Sequence, residues 1–177
     1  MRVADIDANV ADYLGMRTET ARYTSFDYCF NHFQAFRKQS EVNALASEQD
    51  LQLSCLQLGF YLASWGMLRG SSALLRNSVK VYAPVIDLIA STDADIWTID
   101  AGDYDDAACA TIIDVSESLR SALPAGASDI LVTKIMLGVF GCIPAFDTNF
   151  KRGFGVSRFG RPALQRINEY CMDNMPA

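Results

Sequence analysis

The chain has 177 residues, half of them hydrophobic and 20% charged, with a net charge of −6. This length suits one domain, and this composition supports a sizeable core and speaks against global disorder. It also speaks against a membrane span, because the longest apolar stretch, residues 56–68, is broken by Gln57, Gly59, Ser64 and Gly66. The five cysteines are widely spaced and His32 is the lone histidine, so neither a zinc site nor an iron–sulfur cluster is expected.

Residues 1–7 carry two early acids and no apolar run, which does not match a secretory signal. Free buried thiols in a reducing cytosol are the expected state of the cysteines, and a cytoplasmic location goes with it. Periodicity predicts helices throughout. Residues 5–16 form a first amphipathic helix, with Val10, Ala11 and Leu14 on one side. Residues 26–37 carry Phe26, Tyr28, Phe30, Phe33 and Phe36, a stripe that reads as core rather than as a platform for stacked bases. Residues 50–67 are apolar around nearly the whole circumference, the pattern of a central helix. Ser71 or Ser72 suits the N-cap of a short helix over residues 73–77. A helix over 79–91 follows, with Pro84 in its first turns.

Residues 92–103 read as an acidic loop with one short helix near Ile96. A long helix over 104–122 buries Ala108, Ile112, Val115 and Leu119. Residues 123–127 break it, and Ser128 with Asp129 caps a helix reaching Phe140. The loop 141–147 leads into a short helix. Gly153, Gly155 and Gly160 make a loop, and Pro162 opens a last helix to about Asp173. The expected fold is all-α, a single orthogonal domain of about eight to ten helices spanning 1–177.

Charge is distributed unevenly. Between Val81 and Leu119 there are nine acids and no Lys or Arg, a pattern that first suggests a solvated face. Between Thr148 and Asn168, Lys151, Arg152, Arg158, Arg161 and Arg166 stand without any acid. That tract reads either as a basic surface or as a patch for phosphate, and it softens the argument of the net charge against nucleic acid.

The stretch LPAGASDILVTKIMLGVFGCIPAFDTNFKR, residues 123–152, resembles the helix-hairpin-helix and Gly/Pro-Asp core of the DNA glycosylase superfamily. Leu123-Pro124 matches the start of the hairpin. Pro144-x-x-Asp147 has the spacing of adenine-type members, and Asn149, Lys151 and Arg152 agree with what often follows. The helix ending Tyr61-Leu62-Ala63-Ser64-Trp65-Gly66-Met67 is similar, more loosely, to the family's central helix, whose end carries a wedge for base flipping. The resemblance implies double-stranded DNA as partner, no cofactor, and base excision with Asp147 stabilising the sugar cation. It places phosphate contacts at Gly126, Ala127 and Ser128, joined by Lys151, Arg152 and Arg158. The chain departs from the pattern in four ways. The hairpin reads Ala125-Gly126-Ala127, Asp129 stands where lyase-type members have a lysine, Trp65-Gly66-Met67 replaces a glutamine wedge, and the C-terminal cluster cysteines are missing.

Each candidate also has a plain structural reading. Asp147 is either the carboxylate of a dry catalytic pocket or the N-cap of the helix after it. Lys134 is either a pocket amine able to attack a sugar carbon or a lysine snorkelling to solvent. Trp65, Met67 and Arg69 make a wedge and a phosphate clip, or a packed tryptophan and a capped turn. Tyr61 and Trp65, at i and i+4, line a base-sized pocket or fill the core. The second functional reading is a non-catalytic helical module that binds a partner, through the acidic face from Asp87 to Glu117 or otherwise.

Overall fold

The computed structural model describes residues 3–70 and 72–174. All the regular secondary structure among them is helical: α1 (Val3–Gly15), α2 (Ser25–Lys38), α3 (Leu51–Ser64), α4 (Ala83–Ser91), α5 (Asp106–Ala122), α6 (Asp129–Val139), α7 (Thr148–Phe154) and α8 (Arg161–Asn174). Short 3-10 turns at Arg22–Thr24, Val42–Ala46, Ala73–Arg76, Val79–Tyr82 and Ala94–Trp97 connect them. None of these helices is long and apolar enough to cross a membrane. The signal-sequence reading rests partly on Met1 and Arg2, which lie outside the described residues, as does Ser71.

Local chemistry sets most helix ends. Ser72, Asp105, Ser128 and Asp147 each accept an N–H two or three residues on, from Leu74 (3.3 Å), Ala108 (2.7 Å), Leu131 (3.3 Å) and Phe150 (3.0 Å). The acids around Asp103 to Asp106 are therefore not merely solvated loop: Asp105 caps α5, and Asp106 pairs with Arg161 of α8 at 2.5 Å. Pro84 sits in the first turn of α4, where its missing N–H costs nothing. The helix expected over 79–91 begins as a 3-10 turn before it.

The most enclosed helix is α6. Leu131 through Met136 are all buried, as are Gly138 and Val139. Helices α2, α3 and α5 pack around it. The helix expected to be central, α3, packs on α2, α4 and α6 but is not enclosed all round. One stripe of α3 faces outward, with Leu53 and Leu56 each 47% and Phe60 68% exposed. α3 touches more elements than α6, namely α2, α4, α6 and the 3-10 turns at Val42–Ala46 and Val79–Tyr82, yet this stripe is left uncovered. The aromatic stripe of α2 largely packs: Phe33 is fully buried, Phe26 stacks on Phe30, and Tyr28 points outward. His32 is fixed by Ser54 at 3.0 Å, and burial lowers its pKa.

Candidate functional site

Three chain segments meet at one cleft of about 680 Å³, a size within the usual range for ligand sites.

The first is the end of α3, which closes in a Schellman motif. Gly66 takes the left-handed conformation (φ 80°), the Gly66 N–H donates to Ala63 O (3.0 Å) and the Met67 N–H to Leu62 O (2.8 Å). The carbonyls left over at Ser64 and Trp65 take cationic donors. Arg22 Nε donates to Ser64 O, and Lys134 Nζ donates to Trp65 O at 2.7 Å. Cations at a helix carboxyl end also match its dipole. The chain then carries Trp65, Met67 and Arg69 into the cleft wall.

The second is the turn between α5 and α6. Gly126 holds φ 86°, which a side chain rarely tolerates, and the buried Leu123 anchors the entry. Arg120 braces the turn with both nitrogens, Nη1 to Ala127 O and Nη2 to Asp129 Oδ1, each at 2.6 Å. Asp129 is thereby paired rather than left as a bare charge at the start of α6. Both side chains are more than a third exposed, so solvent screens the pair. Arg120→Ala is expected to cost about 1 kcal/mol or less, read from denaturant midpoints. A larger loss would mean the turn holds more of the fold than these bonds suggest.

The third is the loop 141–147. Tyr104 Oη donates to Cys142 O (2.5 Å), and the Phe146 N–H donates to Thr133 Oγ1 (2.9 Å), which itself donates to Asp129 O (2.7 Å). Phe146 is fully buried and edges onto Phe150 and Phe159. These anchors fix the backbone at Asp147. Its Oδ1 accepts the Phe150 N–H, so the capping reading holds. The side chain also lines the cleft, and Oδ2 has no hydrogen-bond partner among the described residues.

Lys134 differs from the snorkelling expectation. It is only 5% exposed, its Nζ lies 5.7 Å from the Trp65 ring centre, and it borders the cleft. Burial lowers its pKa, Arg69 and Arg22 add to that, and Asp147 opposes it. Lys134 and Asp147 do not form an ion pair, so the buried cation is balanced only at a distance.

Of the residues singled out in the sequence, Trp65, Met67, Arg69, Gly126, Ala127, Ser128, Lys134 and Asp147 border this one cleft. Tyr61 does not: it is fully buried, and its hydroxyl donates to Lys134 O at 3.0 Å. It is a strut behind the wall, its pKa raised by burial. Lys151, Arg152 and Arg158 also lie outside the lining. Arg152 and Arg158 are exposed, and Lys151 is half-buried. Ser72, Thr148 and Asn149 line the cleft without having been singled out as site residues. The signal for the last two was their place directly after Asp147. No group of three or more His, Cys, Asp or Glu is placed to hold a metal ion among the described residues.

No family model, no curated protein and no solved structure matches this chain.

Proposed function

We propose that the protein is a divergent base-excising enzyme acting on double-stranded DNA, with Asp147 as the key carboxylate. The observation that carries this reading is convergence. Asp147, Lys134, the end of α3 and the 124–128 turn border one cleft, although up to 82 positions separate Trp65 from Asp147 in the chain. The resemblance of residues 123–152 to the helix-hairpin-helix core supports the assignment to DNA.

A flipped base would rest against Trp65 and Met67, an apolar wall suited to stacking. As the bond from C1′ to the base nitrogen lengthens, positive charge builds on the sugar. The Asp147 carboxylate, held by its cap bond and with Oδ2 unspoken for, stabilises that charge. The base nitrogen leaves with the bonding electron pair, water oxygen bonds to C1′, and the proton this water sheds passes to solvent, from which the proton donor is restored. Lys134, with its lowered pKa, gives up a proton more readily than an ordinary lysine and lies on the same cleft to protonate the leaving base. The amides of residues 126–128 donate to no backbone acceptor among the described residues, and Gly126 and Ser128 are exposed, which leaves these amides for a strand phosphate.

Asp147→Asn separates charge from capping. Asparagine caps a helix as well as aspartate, so stability should change by less than about 0.5 kcal/mol. Base release from duplexes with damaged, mismatched or modified bases, read as abasic sites, should fall roughly a hundredfold or more. Release that survives intact in the variant would remove Asp147 from the chemistry.

One observation favours the second reading, a module that binds without chemistry. Asp147 and Lys134 each have a structural partner that accounts for them, the Phe150 N–H and Trp65 O. All nine acids from Asp87 to Glu117 are also exposed. A DNA affinity that does not fall with added salt would support that module, because phosphate contacts release counterions.

A further inference from the structure

A second, smaller cleft of about 220 Å³ opens between the end of α7 and the face of α8. Arg152, Gly153, Phe154 and Gly155 line it on one side, and Arg166 and Tyr170 on the other. We infer that this cleft binds a phosphate group. The inference rests on the proposed action on DNA only for the source of that phosphate, a strand whose base occupies the larger cleft.

Three observations carry it. First, the charge is one-sided. No acidic side chain lines the cleft, and among the described residues neither guanidinium is in an ion pair. Arg161, in the same basic tract, by contrast spends its charge on Asp106. Second, donors are left over. Arg166 uses Nη1 on Gly155 O at 3.2 Å, which covers the carboxyl end of α7 and offsets its negative dipole, and its other N–H groups stay available. The Tyr170 hydroxyl is buried and has no hydrogen-bond partner among the described residues. An orphaned buried hydroxyl is uncommon and calls for a partner that the described residues do not supply. Third, the walls are set. Arg166 and Tyr170 stand at i and i+4 on α8, so they share one face. The Tyr170 ring packs edge-on against Phe154 at 5.4 Å. Gly155 is left-handed at φ 71°, and a Cβ there would come within 3.3 Å of the Arg166 guanidinium. Glycine thus lets the backbone approach closely.

Spacing supports a strand phosphate. The start of α7 borders the larger cleft and its end borders the smaller one. The seven residues of α7 span about 10 Å, roughly the rise of three base pairs along a duplex axis.

The test is titration of the full chain, isotope-labelled for NMR, first with inorganic phosphate against chloride at equal ionic strength, then with a plain duplex. Saturable shifts of the Arg166 Nε–H and Gly155 amide are expected, absent with chloride. Shifts with phosphate alone would mark a free-anion site, and shifts with the duplex a strand contact; either supports the inference. Arg152→Gln should reduce the salt slope of duplex affinity by about one, the loss of one phosphate contact. Tyr170→Phe removes only the orphaned hydroxyl, so the fold should hold while phosphate affinity falls severalfold. No saturable shift from either ligand, or shifts that persist unchanged in Arg152→Gln and Tyr170→Phe, overturns the inference. Base release by the same preparation reports on the larger cleft separately, so the two readings fail independently.

Discussion

Gly138→Ala is expected to destabilise the protein by about 1–3 kcal/mol net, against the usual sign of such a change. Inside an exposed helix, alanine is better than glycine by about 1 kcal/mol. At position 138 an added Cβ would lie 2.4 Å from Cε1, 2.9 Å from Cδ1 and 3.0 Å from Cζ of Tyr61. No real contact is that short, so the ring or a helix must move. The ring has no room to retreat. It is fully buried, with Phe26 and Trp65 centred 6.0 and 5.9 Å away, and its hydroxyl is tied to Lys134 O. Overpacking of this kind costs about 1–3 kcal/mol, and loss of the buried hydrogen bond adds about 1 kcal/mol or more. Because Tyr61 also contacts Trp65 and holds Lys134, the wall of the larger cleft should shift too. A double-mutant cycle checks the cause: Tyr61→Leu combined with Gly138→Ala should cost less than the sum of the two. A Gly138→Ala protein as stable as the parent would show that α3 and α6 are not as closely packed as the structure has them.

Stability is expected to fall steeply above about pH 9. The Cys29 and Cys142 thiols are buried and shifted upward by desolvation, Cys142 to about 12. The buried phenols of Tyr61, Tyr82 and Tyr104 are raised for the same reason, Tyr82 to about 12. In each case the folded pKa lies above the unfolded one. The associated stability is whole below the unfolded pKa and is lost as pH rises towards the folded value, because the unfolded chain releases its protons first. Each group contributes a slope of up to about 1.4 kcal/mol per pH unit. Between pH 9 and 10 the two thiols together remove roughly 2 kcal/mol, and above pH 10 the three phenols join them. Lys134 acts in the opposite sense. Its folded pKa is lowered, so between its folded and unfolded values the unfolded chain holds the extra proton and stability gains with pH. One opposing group against five does not change the sign. Denaturant unfolding under reducing conditions from pH 8 to 10.5 reads the slope, and Cys142→Ala should flatten its first part. A stability that stays level to pH 10.5 would mean these thiols and phenols reach water.

Much of the local structure was legible in the residues themselves. Ser72, Ser128 and Asp147 were readable as caps, because a short acceptor placed before an apolar run satisfies free N–H groups wherever it occurs. The break at 123–127 and the loop 141–147 followed from Pro and Gly in the same way. The start of α5 was read two residues early because Tyr104, which joins the core through Cys142 O, looks like the first apolar residue of the helix. The capping carboxylate of Asp105 was lost among its acidic neighbours, since any of several would serve.

The sequence by itself therefore determined an all-helical chain, most of its helix ends, and the position of Asp147 on a rigid loop. These rest on backbone bonds and caps that form within a few residues. Only the tertiary structure decided which helix is enclosed, that Lys134 turns inward to the carboxyl end of α3, that Tyr61 stands behind the cleft rather than in it, and that Arg120 pairs Asp129. Each of these depends on a partner tens of positions away, or across a turn whose path local propensity leaves open. Burial and charge compensation are properties of that meeting and not of either segment alone.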